Sequence, residues 1–140
     1  MVRSTLGIVG GGIVWMIAFF TFARLLFLVW PAYAASAQTW TDTGTYDFTA
    51  EMSVFNALFW LLAEIVAGWV AVVIAKRRKA AWILAALLML YMSFMHLYYV
   101  WDNFPWWYNL AVALPSGAAV LLGGRLAGSF ARPRRMIEAQ

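Results

Sequence analysis

Residues 52–75 read MSVFNALFWLLAEIVAGWVAVVIA and are followed at once by KRRK, residues 76–79. The apolar run slightly exceeds the ~20 residues that an α-helix needs to cross the ~30 Å hydrocarbon layer of a bilayer. It lacks the alternation of polar and apolar residues that marks a membrane β-strand, so it predicts a helix. The cations at its end predict that this end faces the cytoplasm.

Three more apolar runs of similar length occupy residues 5–30, 80–101 and 106–126. Of all 140 residues, 65% are hydrophobic and 11% are charged, whereas a soluble domain is about half apolar and about a quarter charged. So few charges cannot cover a surface exposed to water, and disorder requires low hydrophobicity. We therefore expect one all-α domain, a bundle of four transmembrane helices. The absence of cysteine excludes disulfides, thiolate metal sites and cysteine nucleophiles.

The positions of the charges predict the orientation of this bundle. The loop at residues 31–50 and the turn at 102–105 have no basic residue and carry Asp42, Asp47 and Asp102. Nine of the ten basic residues lie in the other links and ends, namely Arg3, Lys76, Arg77, Arg78, Lys79, Arg125, Arg132, Arg134 and Arg135. The positive-inside rule therefore places both termini in the cytoplasm, with the loop 31–50 outside and a cytoplasmic tail at 127–140.

Local signals mark the ends of the predicted helices. Pro31 ends the first helix because proline has no N–H to continue the hydrogen-bond ladder. Thr49 is a suitable N-cap for the second helix, and Pro115 should kink the fourth. The sequence at residues 35–37 resembles a signal-peptide cleavage site. However, the preceding apolar run is long and contains Arg24, so we interpret it as a membrane helix.

The outer loop contains a stretch in which every second residue is a threonine. The threonines at 39, 41, 43 and 45 are separated by Trp40, Asp42 and Gly44. This alternation predicts a small β-hairpin or an extended lid. An isolated hairpin is only marginally stable, so we expect the segment to lie on the bundle.

Aromatic side chains gather at the predicted outer boundary, whereas the inner boundary has chiefly Trp82. An anchoring belt in the headgroup layer accounts for such rings. Their asymmetry also suits a rim that holds a partner helix, a lipid or a pigment, although we predict no dedicated cofactor. The outer rim comprises Trp30, Trp40, Tyr98, Tyr99, Trp101, Trp106, Trp107 and Tyr108.

Small residues recur at spacings that let helix backbones approach closely in lipid. Their spacing leaves open whether they pack within the bundle or against another protein. The predicted packing positions are Gly7, Gly11, Ala63, Ala67, Ala71, Gly117, Gly124 and Gly128.

Four polar side chains are expected at membrane depth, namely Arg24, Asn56, Glu64 and His96. A rise of ~1.5 Å per residue puts Glu64 near the bilayer centre and the other three at one level in the outer leaflet. Arg24 either snorkels to the headgroups or pairs with Glu64 or a partner's carboxylate. Glu64 is either a structural acid or a proton or cation site. A single histidine is more typical of a helix–helix hydrogen bond than of a ligand.

Metal and catalytic motifs are not evident. Met89, Met92 and Met95 lie near His96, but methionines at roughly helical spacing are more typical of packing than of a copper site, so we predict no metal. No Ser/His/Asp or HExxH pattern occurs, and we predict no enzymatic activity.

Several short motifs are similar to those of a known group of proteins. They are ARLL at residues 23–26, WP at 30–31, AGWVA at 67–71, PWWYNLA at 105–111 and LGGRL at 122–126. Over most of its length the chain resembles small bacterial four-helix inner-membrane proteins of uncharacterised function. The resemblance implies a bacterial inner membrane and brings no activity, substrate or catalytic residue with it.

These features predict a non-enzymatic accessory or assembly subunit that packs against a larger inner-membrane complex. Its expected partners are membrane lipids and other membrane subunits. Nucleic acid is not expected, because the basic turn at 76–79 is short and lacks interleaved aromatic residues. The alternative is a small binding or transport protein with a site for a proton, a cation or a lipophilic ligand near Glu64.

Overall fold

A computed structural model describes residues 2–130, together with the side chains of residues 2–128. Most of this part of the chain is helical and it contains no β-strand, so the all-α prediction is confirmed. The helices are α1 (Val2–Val29), α2 (Pro31–Thr43), α3 (Ala50–Ala75), α4 (Lys79–Phe94), α5 (Trp106–Ala113) and α6 (Ser116–Phe130). A π-helical turn (Met95–Tyr99) continues α4, and a 3₁₀ turn (Trp101–Asn103) precedes α5. The predicted tail at 127–140 begins within α6, and from residue 131 onward it lies outside the described residues.

Four helical segments are long and apolar enough to cross a membrane. They are α1, α3, α4 with its π-helical turn, and α5 and α6 taken together. The predicted helical membrane bundle is therefore confirmed in its architecture, while its orientation remains a prediction. Thr49 caps α3 as expected, because its hydroxyl accepts a hydrogen bond from the Met52 amide.

The prediction of a hairpin or extended lid in the outer loop is wrong. Residues 31–43 form α2, which begins at Pro31, ends at Thr43 and is capped by Gly44, where φ is +71°. The hydroxyls of Thr39, Thr41 and Thr43 each donate to the carbonyl oxygen four residues earlier, so the threonines are accommodated within a helix. The buried residues of α2 are Tyr33, Ser36 and Ala37, which follow helical and not strand spacing.

The central helix of the bundle is α3, which packs against α1 on one side and α6 on the other. Its buried alanines, Ala67, Ala71 and Ala75, form one hydrophobic cluster with Leu84 and Leu88 of α4 and Val120 of α6. On α1, Gly7 lies against Ala71 and Ala75, and Gly11 lies against Ala67. Small side chains thus let α1 and α3 approach closely along an antiparallel seam.

The remaining predicted packing positions lie inside the bundle or at its basic end. Ala63 is buried in α3. The backbone at Gly117 lies beside Met89, that at Gly124 beside Ala81, and that at Gly128 beside the Arg78 guanidinium. These contacts are made within the chain itself.

Two irregularities interrupt the apolar helices near the predicted outer side. The third segment changes from an α-helix to a π-helix at Met95, one residue before His96. The fourth is broken between Ala113 and Ser116, at the predicted proline. Such π-helical turns and broken helices often position functional groups in membrane proteins.

Candidate functional site

A cavity of about 240 Å³ lies where α1, α2, α3, α5 and the π-helical turn converge. We call it the outer pocket. Its walls are largely aromatic and include Phe19, Tyr33, Trp60, Phe104 and Tyr108. Exposed side chains, Phe27 of α1 and Trp40 of α2, also line it, so the pocket opens between these two helices.

The aromatic walls are held by ring contacts between elements. Phe19 of α1 stacks on Trp60 of α3, with ring centroids 3.8 Å apart. Phe104 stacks on Tyr108, with centroids 5.3 Å apart. The His96 ring meets Tyr108 edge-on at 5.8 Å. Such contacts add to the stability obtained from burial alone, and they give the pocket a defined shape.

A hydrogen-bond network fixes the orientation of His96. Asn109 of α5 is fully buried, and its Nδ2 amide group donates to the carbonyl oxygens of Trp101 (3.1 Å) and Phe104 (3.3 Å). Its Oδ1 atom lies 3.1 Å from Nδ1 of His96. Both hydrogens on Nδ2 are used by these carbonyl groups, and the Oδ1 atom can only accept a hydrogen bond. Nδ1 of His96 must therefore carry the hydrogen of the imidazole ring.

The other ring nitrogen of His96 is therefore available in the pocket. A neutral imidazole that carries its hydrogen on Nδ1 has a lone pair on Nε2. Within residues 2–128, Nε2 makes no hydrogen bond, and it is not among the buried, inaccessible atoms. His96 is 6% exposed and lines the outer pocket, so its Nε2 offers an acceptor to a molecule there.

Further polar groups line the same cavity. The Asn56 amide is half-buried and makes no hydrogen bond in the described part of the chain. In contrast, the Thr41 hydroxyl donates to the Ala37 carbonyl oxygen. Burial, with a smaller contribution from Tyr46, raises the pKa of Tyr33 to about 12, so its hydroxyl stays protonated at neutral pH.

Glu64 forms a separate site beneath the outer pocket. The carboxyl group is completely buried, and its Oε1 atom accepts a hydrogen bond of 2.6 Å from the Ser116 hydroxyl at the start of α6. Its Oε2 atom has no partner among the described residues, nor has Nε1 of Trp15. The break at Pro115 thus brings a hydroxyl to a buried acid, as broken membrane helices do at polar sites.

Arg24 lies apart from both sites. It is exposed on α1 and lines a shallow groove with Phe20, Thr21, Leu25 and Leu28. Because Glu64 bonds to Ser116 and leaves its second oxygen without a partner, the considered Arg24–Glu64 pair is not formed. Of the predicted polar layer, the structure brings Asn56 and His96 into one pocket and leaves Arg24 facing away.

The residues of the outer rim have different surroundings. Tyr108 and Trp40 line the outer pocket, and Trp30 packs against a cluster that contains Tyr33. Trp107 packs beside Tyr108. Besides Trp40, the exposed members are Tyr98, Tyr99, Trp101 and Trp106. Tyr98, Tyr99, Trp101 and Trp106 fit an anchoring belt, whereas Tyr108 and Trp40 line the pocket.

Sequence reasoning missed several residues that shape the outer pocket. Phe19 and Phe104 carried no distinguishing signal, because aromatic residues are abundant throughout the chain. Asn109 did carry one, since an amide inside an apolar segment requires a partner. Met92 is buried with Tyr108 and Val112, whereas Met89 is exposed, so the two methionines do not share a site. In residues 2–130 no three His, Cys, Asp or Glu side chains cluster as metal ligands would.

Comparisons with known proteins found no match, so the function is inferred from the geometry of these sites. No protein-family model matches this chain, and neither a curated protein nor a solved structure matches it.

Proposed function

We propose that this chain is a non-enzymatic membrane protein that binds a lipophilic small molecule in the outer pocket. One observation carries the proposal: an aromatic cavity into which the Asn56 amide and Nε2 of His96 present unpaired hydrogen-bonding capacity. Small-molecule sites are typically concave and apolar, with a few polar groups that fix the orientation of the ligand. The site differs from the one expected from sequence, since Glu64 does not line this cavity.

The surroundings of the outer pocket support a ligand that arrives from the lipid or the interface. Its mouth lies beside the exposed Phe27 of α1, and residues of α2 form one of its walls. With the predicted orientation, this mouth is at the outer face of a bacterial inner membrane. A molecule dissolved in the outer leaflet then reaches the pocket without crossing the bundle.

The test uses naphthalene and 1-naphthol as probes, with the protein purified and reconstituted in lipid nanodiscs. Saturable binding above that of empty nanodiscs is expected, because a 150 Å³ apolar cavity already holds a benzene ring. Ala37 lines the outer pocket, so Ala37→Phe should fill it and abolish binding. Ala32→Phe is the matched control on the exposed side of α2 and should bind normally. Absence of binding, or equal binding by both variants, would rule out the proposed pocket function.

A second candidate is the accessory-subunit role, which Arg24 favours. This cation is exposed on an apolar span, among Phe20, Leu25 and Leu28. A charge in that position requires headgroups, water or a carboxylate of a neighbouring subunit. Mild-detergent purification from native membranes should then recover a partner that Arg24→Gln loses and Arg24→Lys retains. Recovery of a lone monomer would count against this role.

A further inference from the structure

We infer that the outer pocket takes a lipophilic molecule whose headgroup is a hydroxyl-bearing aromatic ring, of the phenol or quinol class. His96 accepts the hydroxyl hydrogen at Nε2. This inference rests on the proposed binding function and names the chemistry of its ligand.

The direction of the hydrogen bond follows from Asn109. Both of its amide hydrogens go to backbone carbonyl oxygens, so its oxygen holds His96 with the hydrogen on Nδ1. The neutral ring is favoured in the pocket, because no carboxylate lines the cavity and a buried cation would be costly. The ligand must therefore donate at this point. A ketone or a methyl ether would place a lone pair against the lone pair of Nε2.

The size and walls of the outer pocket define the rest of the headgroup. A volume of about 240 Å³ admits one substituted ring or two fused rings. Trp60, Phe104 and Tyr108 supply aromatic faces and edges against which such a ring packs. A lipophilic tail leaves through the mouth beside Phe27.

The Asn56 amide can form a hydrogen bond with a second oxygen on the ligand's aromatic ring. Its amide contains both a donor and an acceptor, and neither is used within the described residues. A ring with a hydroxyl on His96 and another oxygen near Asn56 satisfies both of these side chains. Because an acceptor-only oxygen suits Asn56 but not His96, the site should prefer a quinol to its quinone.

Binding of three matched probes tests the predicted donor. In nanodiscs, 1-naphthol should bind about tenfold more tightly than 1-methoxynaphthalene, as expected for one net hydrogen bond, and naphthalene should resemble the ether. His96→Phe should reduce 1-naphthol to the level of the ether and leave the ether unchanged. Thr39→Val is the control outside the pocket, because Thr39 does not line the cavity and its hydroxyl donates to the Ala35 carbonyl oxygen. It should preserve the preference for 1-naphthol.

Each outcome of the probe series bears on a different claim. Equal binding of 1-naphthol and its methyl ether would overturn the inference while leaving the proposed binding function standing. A preference for 1-naphthol that survives His96→Phe would also overturn it. Absence of binding by all three probes would instead refute the proposed function itself.

A second measurement does not depend on a variant that folds. His96 is the only histidine of the chain, so ¹⁵N NMR of histidine-labelled protein reports its ring nitrogens without ambiguity. The spectrum should show a protonated Nδ1 and an unprotonated Nε2 in the free protein. Addition of 1-naphthol should shift Nε2 as it accepts a hydrogen bond. A free protein that carries its hydrogen on Nε2 would refute the inferred direction.

Discussion

The contact between α3 and α6 predicts an unusually severe effect of a single methyl group. A Cβ atom added at Gly68 would lie 1.9 Å from the carbonyl oxygen of Val120, and one at Gly123 would lie 1.8 Å from that of Ile65. Real Cβ atoms essentially never approach another heavy atom within 3.0 Å. The helices must therefore move apart by about 1 Å at either substitution, because the obstacle is backbone and not a flexible side chain.

The loss in the free energy of unfolding depends on the residues that are buried between α3 and α6. Separation of α3 from α6 loosens a cluster that includes Ala67 and Val120, both fully buried. Overpacking of a core costs about 1–3 kcal/mol and occasionally more. Since backbone has to shift along a tightly packed seam, we expect about 3 kcal/mol for Gly68→Ala. In a chain of this size, that corresponds to a fall in melting temperature of about 10 °C.

Thermal unfolding in detergent, followed by circular dichroism, measures this effect. Gly12→Ala is the matched control, because a Cβ there meets nothing within 4 Å. Alanine is a better helix former than glycine by up to ~1 kcal/mol, so Gly12→Ala should melt at the same temperature as the unmodified protein or higher. A Gly68→Ala variant that melts within about 2 °C of the unmodified protein would contradict the predicted clash. A Gly12→Ala variant that is destabilised as strongly as Gly68→Ala would contradict it as well.

Three further predictions concern the buried acid, the outer tyrosine and the orientation. Glu64→Gln should keep the hydrogen bond from Ser116 and leave the melting temperature nearly unchanged, whereas Glu64→Leu should cost about 1–3 kcal/mol because the buried hydroxyl loses its partner. The raised pKa of Tyr33, about 12 against an ordinary value of 10.0, means that folding favours the neutral phenol. The corresponding stability is present below pH 10 and is lost between about pH 10 and 12. The melting temperature should therefore fall less over this pH range in Tyr33→Phe than in the unmodified protein. Reporters fused to either terminus should show cytoplasmic activity, and a periplasmic signal from either would contradict the predicted orientation.

The four apolar spans could be predicted because lipid imposes a strong constraint on sequence. A backbone in hydrocarbon must satisfy its own hydrogen bonds, so length and hydropathy are nearly sufficient to identify each helix. The segment now seen as α2 lies outside the four spans, and there the constraint is weaker. Its alternating threonines suggested a strand, although their hydroxyls bond to carbonyls of the preceding helical turn.

The depth of the candidate-site residues in the membrane could be predicted, but the direction in which each side chain points from its helix could not. A count of residues along the helices put Asn56, His96 and Arg24 at one level. It did not show that the first two face a common cavity while Arg24 faces outward, because that depends on how the helices are rotated against one another. Similarly, Gly68 was not singled out, since its importance arises from Val120 on the facing helix.

The glycine seam of α1 has a consequence for the biosynthesis of the protein. Gly7 and Gly11 pack against Ala67, Ala71 and Ala75, which are synthesised some sixty residues later, roughly 3–12 s at ordinary rates of translation. During this interval α1 has no α3 to pack against. Because this seam consists of glycine, it has no polar side chain that would lack a hydrogen-bond partner in the hydrocarbon before α3 is made. The surface that α1 later buries against α3 is thus already compatible with lipid before the bundle exists.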